Sequence, residues 1–374
     1  MKINMVLPGI GHSGGVQMAI DYLNYFARHD NDVICYVPFT GAYYGWKRIL
    51  FPKAMYRIIK SKDLQGKWIS HKINIKFVPY INNLYVRDAD ITIATSWLTS
   101  YWVYNLKQEK GAKVYFVQDF ETWGNDKENN KVKASYQLPY DLRISVSTEL
   151  HDRLIQETKA SSIVICNGLP KESIRKFSKI NSEKLVIGFP FREKRAVQQD
   201  IKNTEFGTNS LLKFVHKNPE IKVKTFGFKK PIEFPKPIEF LENPSKDELN
   251  KWYDSIDIFY VPSLYEGWGL PAMEAMARGC AVIGANTGCL KEFGKHLENC
   301  YKINNMTNQQ ELFQGLELLI KADDLRQKIS ENAIKIVNNY TFENKAQKFL
   351  ELLEKLNSEG AIPQFTIQVQ HPDD

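Results

Sequence analysis

The 374-residue chain is short of cysteine: Cys35, Cys166, Cys280, Cys289 and Cys300 are odd in number and widely scattered. None forms a C-x-x-C pair, so neither a disulfide framework nor a zinc site is supported, and buried free thiols are expected. Long apolar runs are missing too. With a mean hydropathy of −0.38 and no uninterrupted apolar stretch of about eighteen residues, a transmembrane helix is not expected. The first residues, Met1 to Pro8, lack the long apolar segment and small-residue cleavage site of a signal peptide and read as a strand running into a loop, which predicts a cytoplasmic protein. Hard-metal ligand clusters are also scarce. Asp88-Ala89-Asp90 matches D-x-D, but it directly precedes the apolar run Ile91 to Ala94 with no further cage residues nearby, so strand-edge capping explains it better. No metal and no cofactor are expected.

What is present is ordinary globular composition, 43% hydrophobic and 25% charged, at about twice the length of one domain. Short β-branched or aromatic runs alternate with amphipathic stretches, as βα units around parallel sheets require. Strands are predicted near Lys2 to Leu7, Asp32 to Val37, Ile73 to Val78, Asp90 to Ala94, Lys113 to Val117, Leu142 to Val146 and Ser162 to Cys166. Asn167-Gly168-Leu169-Pro170 is turn chemistry, and the polar stretch after it has no strong period, which sets a domain boundary at residue 168. The alternation restarts with Leu185 to Phe189, Ile221 to Gly227, Ile256 to Val261 and Ala281 to Ala285. The fold class expected is therefore α/β, with Rossmann-like domains over residues 1–168 and 169–340. Phe342 to Leu356 carries an apolar stripe at three-four spacing, so a helix over 341–357 is expected to pack back across the domains. No role is assigned to the tail, 358–374.

Val261 to Gly279 is the most informative segment. It leaves the end of a strand, crosses a loop with Gly267 and Gly269, and enters a helix with Pro271 in its first turn. Glycines let backbone amides approach a ligand, and the helix N-terminus offers N–H groups and partial positive charge to a phosphate. Glu266 in the loop can accept hydrogen bonds from sugar hydroxyls, and Glu274, eight positions on, from a ribose. For Glu274 alone a helix-dipole role stands beside that reading.

This segment resembles the Glu-x7-Glu motif of the retaining glycosyltransferase family four, of the GT-B architecture, and Gly279 to Glu292 matches that family's usual continuation. The resemblance implies two Rossmann-like domains facing each other across a cleft, an acceptor domain followed by a nucleotide-sugar donor domain. It also implies that Glu266 contacts the transferred sugar, that Glu274 contacts the ribose, and that Gly267, Trp268, Gly269 and Leu270 supply amides around the diphosphate. The family places two basic residues after the first strand of the second domain. Here the stretch is Phe191-Arg192-Glu193-Lys194-Arg195, which points to Arg192 and leaves Lys194 and Arg195 competing for the second position. Cations are needed there because negative charge accumulates on the departing diphosphate; a solvated basic loop is the competing explanation. The glycine-rich loop Pro8 to Val16 is not G-x-G-x-x-G and no acid ends the second strand, which argues against a dehydrogenase. By resemblance, Gly14 and Gly15 touch the donor phosphate, and His12 is an acceptor or phosphate contact or simply exposed. Gln118-Asp119-Phe120-Glu121 follows another strand where many members carry a histidine, and resembles a bacterial polysaccharide subset that includes rhamnosyltransferases. Gln118 and Asp119 are acceptor candidates, and Asp119 serves equally well as a cap.

From Gly41 to Lys76 nine lysines and arginines face only Asp63, a local charge of +8 against +7 for the whole chain. Tyr43, Tyr44, Trp46, Phe51, Tyr56 and Trp68 are interleaved with them. That composition suits either an anionic membrane surface or a solvated face, and no nucleic-acid motif accompanies it. The combined expectation is an enzyme of hexosyl- or deoxyhexosyltransferase type, peripheral on the inner face of the plasma membrane. It would transfer a sugar from a nucleotide-sugar donor to a glycan or lipid-linked acceptor. The rivals are a nucleotide-sugar epimerase of the same architecture and an idle glycan-binding protein.

Overall fold

The computed structural model describes residues 1–10, 13–39, 73–175, 184–193 and 200–360. The chain forms two compact units: Met1–Cys166 together with the segment from Glu343 onward, and Asn167–Phe342.

The first unit is built on a seven-stranded sheet in which every pairing is parallel. Along the chain run β1 (Lys2–Val6), α1 (Gly14–Arg28), β2 (Asp32–Pro38), β3 (Asn74–Val78), β4 (Ile91–Ala94), α2 (Trp97–Tyr104), β5 (Ala112–Val117), α3 (Asp126–Tyr136), β6 (Leu142–Ser145), α4 (Thr148–Thr158) and the two-residue β7 (Ile163–Val164). Strand order is β3-β2-β1-β4-β5-β6-β7. β1, β2, β4 and β5 are almost wholly buried on both faces, which is why they read as continuous apolar runs. Asp90 accepts the Lys2 amide at 2.7 Å and Asp88 pairs with Lys110 at 2.7 Å, so the D-x-D carboxylates are engaged at the strand edge.

The second unit carries β8 (Val186–Pro190), α5 (Thr204–Lys217), β9 (Lys222–Gly227), β10 (Ile238–Glu242), α6 (Lys246–Asp254), β11 (Ile258–Val261), α7 (Leu270–Ala277), β12 (Ala281–Ala285), α8 (Cys289–Glu292), β13 (Tyr301–Ile303), α9 (Gln309–Lys321) and α10 (Asp323–Val337). Its six strands are parallel in the order β10-β9-β8-β11-β12-β13. β10 and β13 escape prediction because they are short and only partly buried edge strands without an apolar run. The core is closed by Ile187, Phe189, Leu211, Phe214, Ile258, Tyr260 and Ile283 among others.

In both sheets the strand order reverses once, between β1 and β4 and between β8 and β11. A crevice opens outside the carboxyl ends of the strands at such a reversal, and open α/β sheets bind ligands there. The last helix, α11 (Phe342–Glu359), returns to the first unit, where Phe349 packs edge-on against Tyr22 and Phe26 and obliquely on Phe116. Among the described residues, no helix is long and apolar enough to cross a membrane.

Candidate functional site

The loop that leaves β11 at the second sheet's reversal point carries Glu266. Its backbone is fixed from three sides. The Leu264 amide donates to the Ile201 carbonyl at 2.8 Å, the Glu266 amide to Thr287 Oγ1 at 3.1 Å, and the Cys289 amide to the Trp268 carbonyl. Gly269 then turns into α7 with φ +82°, a left-handed conformation that favours glycine. Pro271, which has no N–H of its own, follows in the first turn, where the Ala272 and Met273 amides donate to the Gly269 carbonyl at 3.0 and 3.3 Å. Gly288 lies across the loop with φ +56°, so close that a Cβ there would stand 2.4 Å from the Trp268 carbonyl oxygen and 2.9 Å from Glu266 Cβ. Trp268 serves this loop through its backbone. Its indole is 3% exposed, rests against Phe293 and Tyr340, and donates to Met273 Sδ.

Among the described residues the charge facing Glu266 is Lys202, which sequence reasoning missed. Its Nζ lies 2.7 Å from Glu266 Oε2, with the two side chains 19% and 15% exposed. Lys202 precedes Asn203, which takes φ +50° and caps α5, and Asn203 Nδ2 is anchored on the Met306 carbonyl at 3.0 Å. Gly207 lets α5 pack on β11 and its loop, for a Cβ there would meet Pro262 at 2.8 Å. Lys202 thus reaches the site from a helix start ten positions beyond Arg192. The signal available in sequence was a lysine directly before a helix that follows the first strand of the unit. Arg192 stands two residues after β8, exposed, at the same end of the sheet. Lys194, Arg195 and His12 lie outside the described residues, as does the basic stretch except for residues 73–76 and the tail except for residues 358–360.

Glu274 sits in the second turn of α7, beyond the first-turn position where a dipole role would place it. Its Oε2 accepts the Tyr253 hydroxyl at 3.0 Å. Burial pushes its carboxyl up to about 7, opposed by the Tyr253 hydrogen bond and by Lys246.

In the first unit the reversal point gathers the start of α1, the loop after β4 and the loop after β5. Ser13 caps α1 by accepting the Val16 amide, so Gly14 and Gly15 are its first two residues. The Gln118 side chain lies over Gly15, 3.3 Å from where a Cβ would stand. Asp119 accepts the Phe120 amide through its own side chain at 2.8 Å, and its carbonyl receives the Tyr136 hydroxyl. Glu121, given no role from sequence, is buried, with Oε1 accepting the Trp97 amide at the start of α2 at 2.8 Å. Burial, the largest cause, pushes its carboxyl up to about 8 against the lowering effect of the Trp97 bond, and nearby Asp119 adds to the rise.

Residues 230–336, which hold the Glu266 loop, α7 and the Tyr253 pair, match the family described as "Glycosyl transferases group 1". An uncharacterized glycosyltransferase of Methanocaldococcus jannaschii is 26% identical over 239 residues, 61% of this chain and 65% of that protein. A probable sucrose-phosphate synthase of Thermosipho melanesiensis is 36% identical over 124 residues, 32% of this chain and 28% of its own. This chain therefore spans less than two thirds of the length of these relatives. Among solved structures, Anabaena Alr3699/HepE in complex with UDP-glucose superposes with a TM-score of 0.72 at 16% identity, covering 95% of this chain and 100% of that one. At that identity the likeness gives the fold, the two-domain GT-B architecture of Rossmann-like units.

Proposed function

We propose, from the group 1 glycosyl transferase match of residues 230–336, that this chain transfers a sugar from a nucleoside-diphosphate donor to an acceptor hydroxyl, with retention of configuration. The observation that carries the proposal is the pairing of Lys202 with Glu266 beside the N-terminus of α7, with Glu274 on the same helix. A donor diphosphate can take Lys202 and the Gly267 to Leu270 backbone, whose last residue opens α7. Glu266 is then released to accept hydroxyls of the transferred sugar, and Glu274 those of the ribose. Charge that builds on the leaving diphosphate is met by Lys202 and Arg192, where fixed cations in a partly desolvated site stabilise it most. The departing phosphate oxygen can take the acceptor's proton, so no separate base is assigned.

Gly14, Gly15, Gln118 and Asp119 at the first unit's reversal point are assigned to the donor phosphate and to the acceptor, a bacterial glycan or lipid-linked saccharide. The basic aromatic stretch, residues 41–76, is assigned to an anionic membrane surface. Calorimetry with nucleoside diphosphates, followed by acceptor-dependent release of nucleoside diphosphate from a nucleotide sugar, tests the reading. Failure to bind any nucleoside diphosphate would sink it, and turnover of the donor to its epimer without an acceptor would replace transfer by epimerisation. Because the leaving group is assigned to protein cations, activity is expected to survive exhaustive EDTA treatment; a requirement restored by magnesium or manganese would overturn that assignment.

A further inference from the structure

We propose that Tyr253 is a positioning residue for nucleotide recognition: its hydroxyl holds Oε2 of Glu274 at 3.0 Å and thereby presents Oε1 to the ribose of the donor. The inference rests on the donor reading above. Tyr253 is fully buried near the end of α6, and its ring is wedged edge-on among Phe226, Trp252 and Phe259 at centroid distances of 5.8, 5.3 and 5.5 Å. The ring is thus held with its hydroxyl at Glu274 Oε2. The next residue, Asp254, grips Arg278 through Nε at 2.9 Å. Arg278 is the C-cap of α7 and its amide donates to the Glu274 carbonyl at 3.1 Å, so two successive residues at the end of α6 are laced to α7 and its cap. This lacing fixes the helix that starts from the Glu266 loop.

A packing role alone does not need these groups. Phenylalanine would fill the same ring pocket, and glutamine would sit on α7 without a buried charge. Instead the chain partly buries a carboxyl, raising it to about 7, and supplies a hydroxyl that favours its charged form. The groups acting on Glu274 among the described residues are Tyr253 and Lys246, both of α6. Cys280 lies behind the tyrosine and donates to its backbone carbonyl at 3.4 Å. An ionised carboxylate offers about four lone-pair sites. With one taken by Tyr253, the remainder suit the two hydroxyls of a ribose.

The test is calorimetric titration of the full chain, its Tyr253→Phe variant and its Glu274→Gln variant with UDP, GDP, TDP and inorganic pyrophosphate between pH 6 and 8.5. Tyr253→Phe is expected to weaken the preferred nucleoside diphosphate about tenfold, the size of a hydrogen bond to a charged group, and to leave pyrophosphate unchanged. It is also expected to move the rise of affinity with pH to higher pH, since the group favouring ionised Glu274 is gone. Glu274→Gln supplies the phosphates' own pH dependence for subtraction. Glu274→Asp, which withdraws the carboxylate from Tyr253 without touching the tyrosine, is expected to show the same selective loss even if Tyr253→Phe does not fold. A Tyr253→Phe variant with wild-type affinity and pH profile overturns the inference, as does equal loss of pyrophosphate, or an unaffected Glu274→Asp. Wild-type protein that binds neither pyrophosphate nor any nucleoside diphosphate overturns the donor reading itself.

Discussion

Lys202 and Glu266 share one short ion pair, yet the proposed function gives the two ends of that pair different parts of a donor. Removing the cation as Lys202→Met leaves the diphosphate without its nearest partner, and nucleoside diphosphate affinity should fall about tenfold or more, as for other charged hydrogen-bonding groups. Removing the carboxylate charge as Glu266→Gln should leave nucleoside diphosphate affinity near wild type and lower turnover instead. Titration beside steady-state kinetics checks both. Loss of diphosphate binding in Glu266→Gln would place that carboxylate on the wrong part of the donor. Glu121 makes a separate claim about pH. Its carboxyl is raised to about 8 in the folded chain, above its ordinary value, so its stabilising contribution is full below about pH 4.5 and is lost as pH climbs through 8. Glu121→Gln keeps an acceptor for the Trp97 amide and cannot titrate. The melting temperature of the variant relative to wild type should therefore rise between about pH 4.5 and 8 and level off above; a constant difference would contradict the burial argument.

At the scale of elements, the glycines around the Glu266 loop do different work. A Cβ on Gly269 would make only ordinary van der Waals contacts, with Glu266 Cγ at 3.5 Å and Cys289 Sγ at 3.8 Å, so its φ of +82° alone penalises a side chain. Gly269→Ala should cost about 1 to 2 kcal/mol, the left-handed penalty alone. Gly288 combines φ +56° with a carbonyl oxygen 2.4 Å from the Cβ position. Gly288→Ala must drive the start of α8 from the loop, so it should cost more stability than Gly269→Ala and weaken nucleoside diphosphate binding as well. Chemical denaturation with parallel titration would separate the two, and equal losses would count against the contact. This loop was legible in sequence because a strand, two glycines, a proline and two carboxylates at fixed spacing are all local. Lys202 was not. Its place depends on the neighbouring Ile201 carbonyl, just before α5, accepting the Leu264 amide, a contact between segments more than sixty positions apart. The Tyr253 bond to Glu274 was hidden for the same reason, since it joins two helices separated by β11. Strand positions followed from buried apolar runs, while β10 and β13, at the edge and partly exposed, left little such signal.

At the scale of the molecule, the last helix decides how the first unit closes. Its apolar stripe was readable, but a stripe does not name its partner. The structure does: Phe349 is fully buried within 5.0 to 5.5 Å of the rings of Tyr22, Phe26 and Phe116. These residues come from α1 and β5, so the end of the chain supplies core to a unit that begins at Met1. Sequence reading cannot weigh such a contact, because nothing local distinguishes a helix that covers one unit from one that spans two. Phe349→Ala removes a ring from the middle of an aromatic cluster and should cost about 3 to 5 kcal/mol. That is a large share of the 5 to 15 kcal/mol that holds a typical domain. Lys202, Glu266 and Glu274 belong to the second unit, so below the new transition the variant should still bind nucleoside diphosphate. Calorimetric unfolding beside titration at low temperature measures both. A melting temperature unchanged from wild type would mean that α11 contributes little to the first unit. Loss of nucleotide binding in a chain that remains folded would mean that the donor residues depend on the far helix in a way their positions do not predict.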